Sequence, residues 1–183
     1  MILRLGPEQV LLLTYNKMIE VDNSILNSAV AALNSGEQPK FTEFVDKVTA
    51  YCLENENGKV FKDWDRDVIR QLVAYHQAKG TLIVVANSDT EIKGVFMWYN
   101  CDSDDQWSFV YNWDEDKPKG DAIFLAFLFG SDPSAMKEML LKFIQYEPDC
   151  LTKELLGVRY RKGNPTRIKY TTKLFSKILK AKE

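Results

Sequence analysis

The sequence predicts an α+β domain with a mixed sheet behind a helical N-terminal region. Three observations lead there. Apolar residues recur at helical spacing through roughly the first 80 positions. The period shortens to that of strands from Thr81, and the unbroken apolar run Ala122–Phe129 passes almost at once into a further helical pattern.

Taken in order, Ile25, Leu26, Ala29, Val30 and Leu33 share one helical face, and Phe41, Phe44, Val45, Val48, Tyr51 and Cys52 share another. Gly36 and Pro39 separate the two segments, and Asn55–Gly58 ends the second. A third helix is expected from about Asp65 to Gly80, burying Val68, Ile69, Leu72 and Val73. Thr81–Ala86 and Gly94–Tyr99 are β-branched and apolar around the turn-forming Asn87–Thr90, which predicts a hairpin. In Gln106–Trp113, Trp107, Phe109, Tyr111 and Trp113 alternate with smaller or polar residues, giving a strand with one aromatic face. Ala122–Phe129 suits a strand covered on both faces. Asp132 is then an N-cap with Pro133 at the first helical position, and Met136, Met139, Leu140, Phe143 and Ile144 form the buried stripe. Gly157–Arg161 and Arg167–Thr171 are expected as two strands around Gly163-Asn164-Pro165. A last helix turns Leu174, Phe175, Ile178 and Leu179 inward. The organisation expected is a helical region over 1–64 packed on an α+β core over 65–183.

Composition narrows the class. The chain has 183 residues, 45% of them hydrophobic and 27% charged, enough for one domain with its own core and no disulfide or metal staple. Its longest apolar run is far shorter than the ~20 residues that span a bilayer, so no membrane association is expected. The N-terminus lacks a secretory pattern. Cys52, Cys101 and Cys150 are odd in number and widely spaced, pointing to reduced thiols and a cytoplasmic setting. Charge is divided sharply. Residues 150–183 hold ten Lys/Arg against two acids, a net of +8, so the whole-chain −2 leaves −10 on the rest. Asp102–Asp116 alone carries six carboxylates and no base.

Among side chains that carry chemistry, His76 is the single histidine and borders an apolar helix face, a structural position. The cysteines form no C-x-x-C pair, and Asp102–Trp113 lacks the Gly and Glu of a calcium loop, so no metal is expected. The aromatic stripe lies between acidic clusters, which count against stacking on bases, and reads as core area, with a protein-interaction patch as the alternative. Arg159, Arg161, Lys162, Arg167 and Lys169 form the candidate polyanion site. If their strands pair, Arg159 and Arg161 are expected near Arg167 and Lys169, able to contact phosphates of nucleic acid or of a cofactor.

Residues 65–183 resemble the Gcn-related N-acetyltransferase (GNAT) superfamily. The hairpin TLIVVANSDTEIKGVFMWY, the buried strand AIFLAFLF and the helix opened through GSDPSAMKEML carry the likeness. The tail GVRYRKGNPTRIKYTTKLF is similar to the closing strands of short, divergent GNAT-like proteins of bacteriophages. The resemblance implies a mostly antiparallel sheet and a turn whose N–H groups cradle the pyrophosphate of acetyl-CoA. Gly130, Ser131, Ser134 and Ala135 occupy that turn here, where the family pattern is altered by Asp132 and Pro133. An active acetyltransferase requires a general base and an acid, for which Asp121 and either Tyr160 or Tyr170 are the candidates. Three functions are therefore expected in competition. They are an acyl-CoA-dependent N-acyltransferase; a catalytically silent GNAT-like protein, phage-encoded and located in the host cytoplasm or virion, acting through an assembly partner or its own oligomer; and a nucleic-acid-associated protein using the basic C-terminal region.

Overall fold

The computed structural model describes residues 31, 39–54, 64–88, 91–103, 117, 119–161, 164–170 and 173. The described elements run α1 (Pro39–Glu54), α2 (Arg66–Lys79), β1 (Leu82–Ser88), β2 (Glu91–Cys101), β3 (Ala122–Gly130), α3 (Pro133–Tyr146), a 3-10 turn (Pro148–Leu151), β4 (Glu154–Arg161) and β5 (Asn164–Tyr170). The domain is α+β, with a five-stranded mixed sheet and three helices among the described residues. None of these helices is long and apolar enough to cross a membrane.

Local chemistry explains where the helices begin and end. Asp65 caps α2, its side chain accepting the N–H of Asp67 at 2.7 Å. Gly80 ends α2 at φ 77°, a left-handed conformation that glycine takes without steric cost. Asp132 caps α3 ahead of Pro133, whose missing N–H has no intrahelical partner to lose.

The strand order is β1-β2-β3-β4-β5. All neighbouring pairs are antiparallel except β3 and β4, which run parallel and pair only from Ala122/Glu154 to Leu125/Gly157. The connection between these parallel strands holds α3, as a crossover requires. The register between β2 and β3 shifts once: Met97 opposes Phe127 while Trp98 opposes Leu125, leaving Ala126 as the extra residue of a bulge.

Alternation along the strands sorts the core into layers. Val95, Met97 and Phe127 meet α1 and α2 through Val45, Val48, Ile69, Leu72 and Val73. Phe96, Trp98, Ile123 and Leu125 meet α3 through Ala135, Met139, Leu140 and Phe143 on the other face. Trp98 and Phe143 pack edge to face at 5.1 Å. Full burial of each such side chain contributes about 1.5–3 kcal/mol. The first four residues of β3 are all buried, as a strand covered on both faces must be.

Several boundaries differ from the periodicity: β1 takes in Asn87 and Ser88 of the expected turn, and β2 runs Glu91–Cys101 rather than Gly94–Tyr99. β4 begins at Glu154 rather than Gly157, because Leu155 and Leu156 are buried and pair with Ile123 and Phe124. β5 takes in Asn164 and Pro165, which the sequence assigns to the turn. Proline is tolerated there because β5 is the outermost described strand on that side. The helix expected around Ile25–Leu33, the aromatic strand Gln106–Trp113 and the last helix lie outside the described residues, apart from the helical positions 31 and 173.

Candidate functional site

The turn between β3 and α3 is the place where the expected cofactor residues come together. Gly130 ends β3 opposite Gly94 of β2, and this glycine pair lets α3 sit close to the sheet. A Cβ on Gly94 meets the Met139 Sδ at 2.7 Å, and one on Gly130 meets the Met136 Cγ at 2.9 Å. Ser131 donates its N–H to the carbonyl of Lys93 at 2.8 Å. Asp132 accepts the N–H of Ala135 at 2.8 Å on Oδ1 and the Ser131 hydroxyl at 3.2 Å on Oδ2. The Ser134 N–H is also directed at this carboxylate.

The electrostatics follow from those bonds. The Ala135 N–H holds the Asp132 carboxyl below its ordinary range, with the Ser131 hydroxyl, the Ser134 N–H and Lys93 acting in the same sense. Lys93 is raised above its usual value, first by its bond to Glu91, with the charges of Glu91 and Asp132 adding to it. Its ammonium lies 2.6 Å from Glu91 Oε1, and Asn87 donates to Glu91 Oε2 at 3.3 Å. On the α1 side, Tyr51 stacks obliquely on Phe129 at 5.8 Å, and burial pushes its phenol up to about 12. The turn thus presents an ionised carboxylate on the helix N-terminus, flanked by a second carboxylate and one lysine.

Two of the three candidate catalytic residues, Asp121 and Tyr170, lie elsewhere. Asp121 immediately precedes β3, so the nine-residue strand separates it from Gly130. At about 3.3 Å per residue that separation is roughly 30 Å. Both Asp121 oxygens accept hydrogen bonds from Ser103, and these bonds lower its pKa. Tyr170 opposes Leu155 at the same end of the sheet as Asp121, and its ring covers Gly157. Burial raises the Tyr170 phenol, against a smaller opposing effect from Arg159. Tyr160 is in β4, but its side chain lies outside the described residues.

Among the basic candidates, Arg159 and Arg167 are exposed on the β4–β5 hairpin. The expected shared face does not form. Arg159 opposes Thr166 while Arg167 opposes Val158, so the two arginines project to opposite faces of the ribbon. Lys169 lies on the Arg167 face, 3.2 Å from Glu154. Lys162 and the Arg161 side chain lie outside the described residues.

His76 is completely buried, its Nδ1 2.7 Å from the Thr81 hydroxyl. Desolvation lowers its pKa to about 3, so it is neutral at physiological pH. All three cysteines are buried and reduced, and burial raises Cys52 to about 12 and Cys150 to about 11. Among the described residues no group of three or more His, Cys, Asp or Glu is gathered to hold a metal.

Sequence reading missed Lys93 and Ser103, which set the charge and geometry around Asp132 and Asp121. Neither has a local signal, because each acts on a residue that only the sheet brings near. Compared with protein families, curated proteins and solved structures, the chain matches none.

Proposed function

We propose that the chain is a GNAT-like domain that works through non-covalent contacts, with the acyl-CoA pyrophosphate seat filled by its own Asp132. The observation that carries this reading is the Asp132 carboxylate, held on the N-terminus of α3 by the Ala135 N–H at 2.8 Å. A pyrophosphate reaching this turn meets a fixed negative charge, with Glu91 behind it, instead of open donors. The N–H of Ser131 is likewise already engaged by Lys93. The hairpin β1–β2, the buried β3 and the directly following α3 support the GNAT-like assignment. In this role the protein joins an assembly as a partner or as its own oligomer, in a reducing compartment such as a phage host cytoplasm.

The test is thermal unfolding with acetyl-CoA and with CoA at millimolar concentration. Ligand at 100-fold its Kd stabilises a fold by about 2.7 kcal/mol, a few degrees for a chain this size. The expected result is no shift with either compound. A shift of that size overturns the reading.

One observation favours an acyltransferase instead. Burial keeps the Tyr170 phenol protonated, as a general acid must be. Asp121 is poorly suited as its base, since both oxygens are hydrogen-bonded and its pKa is lowered. The enzyme reading requires CoA-dependent stabilisation that Gly130→Glu abolishes.

A further inference from the structure

We infer that the outer part of the β4–β5 hairpin is a contact for double-stranded DNA, a two-stranded ribbon that enters the major groove with one face toward each phosphate wall. The inference is independent of the GNAT-like reading. β4 pairs with β3 only as far as Gly157. From Val158 to Arg161 its partner among the described strands is β5 alone, through the pairs Val158/Arg167, Arg159/Thr166, Tyr160/Pro165 and Arg161/Asn164. At about 3.3 Å per residue, these four pairs form a ribbon roughly 13 Å long beyond the pairing with β3, its base held by Val158, which packs on the core beside Ala126.

The faces of this ribbon distinguish a groove from a flat anionic surface. Directly opposed residues of antiparallel strands project to the same side, so exposed Arg159 lies with Thr166 on one face and exposed Arg167 with Val158 on the other. A plane of charge reaches only one of those faces. The major groove is about 12 Å wide with phosphates on both sides, and a sheet with its side chains is about 10 Å thick, so the ribbon fits edgewise between the walls. Residues 155–182 contain nine Lys/Arg and no acid, while residues 1–149 carry −10, and this charge division turns the ribbon toward a polyanion. Arginine on phosphate positions the protein without reading bases, so the contact is independent of sequence.

The experiment is fluorescence anisotropy of the full chain with a short DNA duplex, its single strand, an RNA duplex and heparin. Preferential binding to the DNA duplex is expected, because the A-form major groove is too narrow for side chains to read. Neutralising two phosphates predicts an affinity that falls roughly twelve-fold between about 50 and 200 mM salt. Arg159→Glu and Arg167→Glu should each weaken binding and reduce the logarithmic salt slope by about 0.9, while Arg→Lys at either position retains both. Lys142→Glu on α3 should change nothing. Unfolding temperature controls for folding, and Arg→Gln variants replace any reversal that lowers it. Absence of duplex binding at low salt, equal affinity for heparin or single strand, or sensitivity to only one of the two arginines overturns the inference. Selective retention of an acidic protein in place of DNA overturns it as well.

Discussion

Ser103 holds both carboxylate oxygens of Asp121, its N–H reaching Oδ1 at 2.6 Å and its hydroxyl reaching Oδ2 at 2.7 Å. The bond ties the residue before β3 to the chain leaving β2. Lys117 strengthens the same junction, pairing with Asp102 and donating its N–H to the Asn100 carbonyl at 2.7 Å. Asp121→Asn is therefore expected to lower the unfolding temperature, and Ser103→Ala to do the same. Because the two residues share one interaction, the double variant should lose less than the sum of the singles. Additive losses in a double-mutant cycle contradict the coupling. The lowered Asp121 pKa means this stabilisation is present above the unfolded value of 3.8 and fades as pH falls through the folded one.

Acid should destabilise the fold through His76. The unfolded chain binds a proton at this side chain below about pH 6.5, whereas the buried imidazole stays neutral down to about pH 3. Its folded pKa is depressed, so the contribution is complete above pH 6.5 and declines as pH falls, by about 1.4 kcal/mol per unit, until the folded pKa is reached. Urea unfolding of the natural chain and of His76→Leu, each at neutral pH and at pH about 4.5, isolates the effect. A difference of roughly 2–3 kcal/mol in their pH responses is expected. Identical responses contradict it.

The glycines opposed in β2 and β3 should differ in their tolerance of a methyl group. In Gly94→Ala the new Cβ meets Met139, which is fully buried, and also approaches the Phe129 carbonyl at 3.2 Å. In Gly130→Ala the nearest atoms belong to Met136, which is only partly buried, with the Met139 Cε next at 3.0 Å and no backbone atom among the three nearest. Chemical unfolding should show a loss of about 1–3 kcal/mol for Gly94→Ala and less than about 1 kcal/mol for Gly130→Ala. Met136→Ala added to Gly130→Ala should recover part of the smaller loss. The reverse order of losses shows that α3 packs differently on the sheet.

Removing the charge of Asp132 while keeping its cap should open the turn to anions. Asp132→Asn retains an acceptor for the Ala135 N–H, so its unfolding temperature should stay near that of the natural chain, while Asp132→Ala should lower it. Calorimetry with inorganic pyrophosphate should detect tighter binding to the Asn variant than to the natural chain. Equal binding by the two shows that the carboxylate is not what keeps anions out.

Local signals made much of this fold legible. Asp65 and Gly80 bracket α2, and Asp132-Pro133 opens α3, because caps depend on residues a few positions apart and on backbone conformations that few residue types adopt. The apolar run of β3 announced burial on both faces for the same reason: its pattern is contained in one short segment. The four candidate residues of the turn, Gly130, Ser131, Ser134 and Ala135, were equally readable, although the engagement of its N–H groups was not. Tertiary structure decided the contacts that cross between elements. Asp121 finds Ser103 across 18 positions, and Ser131 finds the Lys93 carbonyl only because the end of β3 lies against the start of β2. The arginines show the limit most directly. A shift of one residue reverses every side chain of a strand, so the sequence could place Arg159 and Arg167 on one hairpin, but only the register Val158/Arg167 put them on opposite faces.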